Sequence, residues 1–539
     1  MRYLHARSLY ARLGLEPREG VLAASLMTAF LLLSILSLRH KTLTYDEPDH
    51  YRYGRRILEG DANRFNASTM PITALNALPG KVADSLPKGP LDSLLARFNT
   101  ARAVTIAAGA LLGCLVFLWA RQLYGRPASL LALAIFALEP NLIAHSGVVT
   151  TDVFVTLFMA LAIYLLWRYT LRRDGLHALL VGLALGLSLI AKYTSVLLVP
   201  IVLLLAMLNS APGIRASIKA RALEDLRRSL LRSAYHGALV GVVVLIVVNA
   251  AFLFRKTFTP LAGYHLRSDL LISVREGMPG LAILPLPIPY PYLEGLEWVY
   301  RNDITDHGGT KPYYLFGEIR HEPFVGYFAL AYLFKSPLAA QLALGLAVVG
   351  LIGSRRKACF LDREVFLVGP LTVLTLYFNL FAHHQIGIRY FLVAFPFIIV
   401  FSGRIATNWE LLPRWRRYGL VALVLYLGAS VLSYFPHYHS YFNELVPDRT
   451  QAYRILADSN IDWGQSHWYV EQFIREHPGA TFQPSQPTSG LVLVGVNQFV
   501  GIATGPSWDW LKQCCEPVGT VAYSVLVFDV KPDQIGTIP

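Results

Sequence analysis

The stretch AVTIAAGALLGCLVFLWA, Ala103 to Ala120, carries no charge. GALVGVVVLIVVNAAFLF, Gly237 to Phe254, carries none either, with Asn249 its only strongly polar residue. Each is close to the ~20 apolar residues with which a helix at ~1.5 Å per residue crosses a bilayer core. The rest of the chain agrees: 54% of its 539 residues are apolar and 15% are charged, against about 25% charged in an ordinary soluble domain. So little polar surface cannot cover so many apolar residues in water. A disordered chain is excluded, and the composition argues against a water-soluble enzyme.

Windows of about 19 residues place nine further spans near Val21 to Leu38, Pro127 to Ala144, Thr151 to Trp167, Leu176 to Ala191, Thr194 to Leu208, Pro337 to Gly353, Val365 to Ala382, Tyr390 to Ser402 and Tyr418 to Phe435. The expectation is an α-helical polytopic membrane protein with about 11 transmembrane helices. Val21 onward reads as an uncleaved first span, because no small-residue cleavage site follows it. With the N-terminus in the cytoplasm, the cytoplasmic segments hold 23 of the 48 Lys and Arg residues, while the short turns opposite hold only Lys192 and Arg389. That asymmetry sets the orientation. It also accounts for the formal charge of +13 through topology and anionic lipid rather than a nucleic-acid partner.

Three long segments then share the outer side: loops 39–100 and 255–323 of a membrane domain spanning 1–435, and a C-terminal domain, 436–539. In the last, Gly490 to Val496 and Thr520 to Val530 read as strands and Trp468 to Glu476 as a helix, a small α/β extracytoplasmic domain. Leu284 to Tyr292, with proline at every second position from Pro285 to Pro291, reads as extended. Cys114, Cys359, Cys514 and Cys515 have neither disulfide-framework nor zinc spacing.

A charged side chain near the middle of a membrane helix costs about 2.5–3.5 kcal/mol on insertion scales, so such residues need partners. Here they gather at the outer ends of spans: Asp46 and Glu47 after the first, His145 and Asp152 between the third and fourth, Lys192 after the fifth, and His383, His384 and Arg389 between the ninth and tenth. Carboxylates and cations at one depth suit a reaction in which a hydroxyl attacks and a phosphate leaves. Plainer readings exist for each. Asp152 suits an N-cap, Lys192 and Arg389 suit snorkelling to headgroups, and Glu139 suits a polar packing residue at a kink before Pro140. No pair has the spacing of a strong metal motif.

Several motifs carry a resemblance almost end to end: Tyr45-Asp46-Glu47-Pro48-Asp49-His50-Tyr51, Ala101-Arg102, Trp119 to Gly125, Pro140 to Ser146, Thr150-Thr151-Asp152, Ala191 to Thr194, Gly387 to Tyr390, Tyr441 to Glu444 and Asp458 to Gln465. In these the chain resembles the GT-C superfamily of multi-span glycosyltransferases, specifically the bacterial branch related to protein O-mannosyltransferases and the lipid A aminoarabinose transferase. Ser68-Thr69-Met70-Pro71-Ile72 departs from relatives that carry a double proline, and Ser210 to Ala234 is more charged than the pattern.

The resemblance implies transfer of a sugar from a polyprenyl-phosphate donor to a hydroxyl on a protein, lipid or cell-envelope glycan, at the outer face of a bacterial inner membrane and with inversion. It implies Asp46 as general base, Glu47 and Asp152 as orienting carboxylates, and Arg389 and Lys192 on the donor phosphate. His50, Tyr51, His145 and Tyr390 would line the substrate. It names no firm cofactor. A divalent metal stays open, because the protein mannosyltransferase branch does not depend on one and other branches do. The rival reading is a secondary transporter, which usually shows paired repeats and broken midplane helices; no repeat is apparent here. A non-catalytic glycan-binding scaffold is a third, and it would keep its function in Asp46→Asn.

Overall fold

The computed structural model describes residues 16–63, 68–219, 222–309, 312–353 and 360–535. The basic residues of 1–15, 220–221 and 354–359, and Cys359, lie outside them. Each expected span falls on helical segments, but Pro127 to Ala144 is divided between two helices, and Thr194 to Leu208 and Tyr390 to Ser402 begin in 3-10 turns. In chain order the membrane region is built from α1 (Pro17–Leu36), α2 (Glu47–Leu58), α3 (Ala74–Asp84), α4 (Phe98–Tyr124), α5 (Arg126–Ala137), α6 (Pro140–Ser146), α7 (Asp152–Arg172) and α8 (Gly175–Leu189). It continues with α9 (Leu198–Lys219), α10 (Leu223–Ala251), α11 (Tyr290–Gly309), α12 (Tyr327–Lys335), α13 (Leu338–Ile352), α14 (Val365–Leu380), α15 (Phe395–Gly403) and α16 (Arg414–Leu432). Six segments are long and apolar enough to cross a membrane, or eight if each of two bent pairs is one span. Three of the 11 are missing from that count: α8 has 15 residues and α14 has 16, about 22–24 Å against a hydrocarbon core of ~30 Å, while α16, at 19 residues, opens on Arg414, Arg416 and Arg417.

The breaks have local causes. At Gly125, φ of 90° lets α4 turn directly into α5, which opens with Arg126-Pro127. Between α5 and α6 the axis bends by 61°, with Pro140 restarting the helix and the Glu139 carboxylate accepting from the Asn141 backbone N–H at 3.3 Å. Between α12 and α13 it bends by 118° at Ser336-Pro337, where proline removes a helical donor and holds Ser336 extended. Lipid offers no hydrophobic drive between helices, so close contact rests on small residues. Gly182 and Gly186 of α8 lie against Val243 and Val247 of α10, where a Cβ would meet those side chains at 2.9 and 2.8 Å.

The segment Leu284 to Tyr292 is only partly extended. Tyr290, Pro291 and Tyr292 form the first turn of α11, where proline's missing N–H has no partner to lose. A hairpin follows, β1 (Tyr313–Leu315) with β2 (Glu318–Arg320), joined by Phe316 and Gly317, both at positive φ as a two-residue hairpin loop needs.

Beyond α16, helix α17 (His467–Glu476) packs on a four-stranded sheet of β3 (Thr481–Phe482), β4 (Gly490–Gly495), β5 (Gly519–Val521) and β6 (Val525–Val530), in the order β3-β4-β6-β5. Only β3 and β4 are parallel. The expected single strand Thr520 to Val530 is broken, because Ala522 and Tyr523 take positive φ and fold it into the β5–β6 hairpin. Side-chain alternation splits the sheet. Leu493, Val525 and Val527 join Val470 of α17 in a small cluster, whereas Val492, Val494, Leu526 and Phe528 belong to the same buried core as the membrane helices. One face of the sheet therefore rests on the bundle.

Candidate active site

Four backbone features bring the charged residues together. Asp46 is the N-cap of α2, Asp152 opens α7, Lys192 precedes the 3-10 turn Tyr193–Leu197, and Arg389 lies in the 3-10 segment Ile388–Ala394. Arg389 Nη1 donates to Asp46 Oδ2 at 2.7 Å, and Lys192 Nζ donates to Asp152 Oδ1. Tyr390 joins the pairs: Lys192 Nζ is 3.9 Å and the Arg389 guanidinium 5.4 Å from its ring centre. The carboxylates differ in access, since the side chain of Asp46 is 39% exposed and that of Asp152 is 2% exposed. Burial works against the charge of Asp46, but Arg389 and then His50 more than offset it, and the carboxyl is held below the usual range. His50 stands in the field of all four charges, and burial, its largest influence, holds its imidazole below the ordinary value.

Glu47 is placed differently from the sequence expectation of an orienting group facing substrate. It is fully buried and accepts from Arg102 Nε at 2.8 Å and Nη2 at 2.7 Å, from Thr44 N at 2.8 Å and from Val149 N at 2.9 Å. Four donors leave it no reach toward a ligand. Arg102 also holds the carbonyl of Thr42 at 2.9 Å, so the pair fixes the turn that presents Asp46. Tyr51 likewise leaves the cluster, its ring 5.3 Å from Phe98 and its hydroxyl in the space left by the missing side chain of Gly80. His145 is buried behind the site, its ring centre 5.1 Å from His439 and 5.8 Å from Trp463.

Trp463, within the motif Asp458 to Gln465, has no role assigned from sequence and stands on Arg389. Its ring lies 4.1 Å from the Arg389 guanidinium and covers one face of it. Tyr45 N donates to the Trp463 carbonyl at 3.2 Å and Thr42 Oγ1 to the Gly464 carbonyl at 2.8 Å, which ties the segment after α1 to 463–465. Lys335, 1% exposed at the end of α12, is a second omission. Its ammonium donates to the carbonyls of His439 (2.7 Å) and Asn460, and Asn460 Oδ1 in turn accepts from Ile388 N at 2.9 Å, next to Arg389. Lys41 is third, its Nζ 3.4 Å from His439 Nδ1 and its pKa pushed down to about 7 by burial and by Arg102. The signal for Lys335 was local, a lysine closing the apolar run YFALAYLF; Trp463 had none beyond its motif. Among the described residues no three His, Cys, Asp or Glu side chains converge as metal ligands.

Residues 96–254 match the family described as dolichyl-phosphate-mannose-protein mannosyltransferase. That stretch holds α4 to α10 and with them Arg102, Asp152 and Lys192, and the long apolar helices of the chain make it a multi-pass membrane protein. No curated protein matches the chain significantly. Among solved structures it is similar to the Archaeoglobus fulgidus oligosaccharyltransferase, at 14% identity and a TM-score of 0.41 over 84% of this chain, spanning 55% of that one. It is also similar to ArnT from Cupriavidus metallidurans bound to undecaprenyl phosphate and to the apo form of that protein. Both are 13% identical over 96% of this chain and 99% of theirs, with TM-scores of 0.30 and 0.32.

Proposed function

We propose that the chain transfers a sugar from a polyprenyl-phosphate donor to a hydroxyl acceptor, inverting the anomeric carbon, at the outer face of a bacterial inner membrane. Residues 1–435 are assigned as the membrane domain and 436–539 as its extracytoplasmic cap. The observation that carries the reading is Arg389. Its Nη1 holds Asp46, while its Nε is buried with no hydrogen-bond partner among the described residues. A buried, unpaired guanidinium donor is costly unless an acceptor arrives, and a phosphate matches a guanidinium fork bidentately. Lys192 supplies a second positive charge across Tyr390. Supporting the donor class is the family description of the matched stretch, a dolichyl-phosphate-mannose enzyme; supporting the outer orientation is the Lys and Arg asymmetry.

In the reaction Asp46, ionised and the more accessible carboxylate, takes the proton of the acceptor hydroxyl. The acceptor oxygen bonds to the anomeric carbon from the face opposite the phosphate. The bond from that carbon to the phosphate oxygen breaks, and the polyprenyl phosphate leaves with its charge on Arg389 and Lys192. Asp152 holds Lys192 in place, and Glu47 acts through Arg102 as a positioning residue. His50, His145 and Tyr390 surround these charges.

The test is purified protein given polyprenyl-phosphate sugars and membrane acceptors. Asp46→Asn is expected to lose about 10²–10⁴ in turnover with donor binding retained. Unchanged turnover would remove Asp46 as the base.

A further inference from the structure

At the end of the bundle opposite the candidate site, a cavity of about 650 Å³ opens between α7, α8, α9 and α10. Asp152 is the first residue of α7, and Arg173, which follows its last turn, lines the cavity, so the two lie about 30 Å apart at ~1.5 Å per residue. The cavity exists because α10 is thin there. Gly237 and Gly241, four residues apart and therefore on one face, line it, and a Cβ on either would meet nothing within 4 Å. The facing walls are apolar, with Val181 and Leu185 from α8 and Val202 from α9. The mouth is cationic. Arg173, Arg228 and Arg232 line it together with a single carboxylate, Asp225. The Tyr169 hydroxyl meets His236 Nδ1 at 2.9 Å and adds a polar pair to the lining. Arg228 and Arg232 belong to the charge-rich stretch Ser210 to Ala234, which the proposed reaction does not use.

We propose that this cavity is a binding site for one anionic phospholipid, with its phosphate among the three guanidinium groups and one acyl chain along Gly237 and Gly241. Charge complementarity selects the anionic headgroup: Arg173, Arg228 and Arg232 outnumber Asp225 and Glu224, the latter 3.2 Å from Arg228 Nε, and the surplus favours a phosphodiester without a compensating amine. An apolar slot that continues from that mouth favours a lipid over a free anion. The occupant would bind α7, α9 and α10 to one another at this end.

The full chain, purified in mild detergent and stripped of lipid, is offered phosphatidylglycerol, phosphatidylcholine or inorganic phosphate, and retained lipid is counted by native mass spectrometry alongside thermal unfolding. One phosphatidylglycerol is expected to stay bound and raise the unfolding temperature, with phosphatidylcholine and phosphate failing to do so. Arg228→Gln and Arg232→Gln should each weaken retention about five-fold. Gly241→Leu, which fills empty space, should block the chain while leaving unfolding in lipid-free detergent unchanged. Equal retention of phosphatidylcholine, stabilisation by phosphate alone, or undiminished retention in the arginine and glycine variants would overturn the site.

Discussion

Asp46 and Asp152 are the same side chain, each paired with a cation, and their surroundings separate them. Asp152 is sealed against Lys192, whereas Asp46 keeps one side open beside Arg389. The ionisation of Asp46 depends on that neighbour, because burial alone would raise its pKa and Arg389 is the largest influence lowering it. A carboxyl held below its ordinary value stays charged, and its ion pair stays favourable, above that value; both are lost as pH falls through the depressed one. The acidic limb of kcat/KM is therefore expected below the ordinary aspartate value of about 3.9 in the native protein. In Arg389→Gln it should move upward, because burial then prevails. A pH–rate profile that keeps its acidic limb in place would mean that the two groups are not coupled.

Among the elements, the N-terminus of α2 decides where Asp46 stands, and the buried pair Glu47–Arg102 decides where α2 begins. Removing one member of a buried ion pair leaves the other uncompensated, typically at 3–5 kcal/mol, while replacing both by well-packed apolar groups is often neutral. Glu47→Gln is expected to lose about 3–5 kcal/mol of stability by thermal unfolding in detergent, with much of it recovered when Arg102→Met is added. If Glu47→Gln kept full stability and lost only turnover, a direct part in the chemistry would be restored to Glu47. The segment carrying Arg389 is positioned as closely. Gly387 has φ of 151°, and a Cβ there would stand 2.2 Å from Ser459 Oγ. Gly387→Ala should push Ile388–Ala394 off the 458–460 turn and raise KM for the donor more than it alters folding, which donor titration alongside an unfolding curve would separate.

For the whole molecule, the C-terminal segment 436–535 packs against the charged cluster. Trp463 covers Arg389, His439 meets Lys41 and His145, and one face of the β-sheet shares the core of the bundle. Trp463→Ala removes a cation–π contact of about 0.5–2 kcal/mol and is expected to weaken donor binding several-fold with the fold intact. Donor affinity equal to that of the native protein would reduce Trp463 to a packing role. Span positions and the charged residues at span ends were legible in the sequence, because hydropathy and the cost of a charge in lipid act residue by residue. The pairing of Arg389 with Asp46 was not, for these residues stand 343 positions apart. Nor could a motif distinguish Glu47, sealed by four donors, from its neighbour Asp46, half open to ligand.

By itself, then, the sequence determined a membrane bundle with its ionisable groups collected at one end, since apolar runs and charge asymmetry are read locally. Only the tertiary structure decided which cation meets which carboxylate, that Glu47 is sealed by Arg102 and two backbone donors, and that Trp463 closes over Arg389. Those contacts join distant segments, and packing rather than local preference selects them.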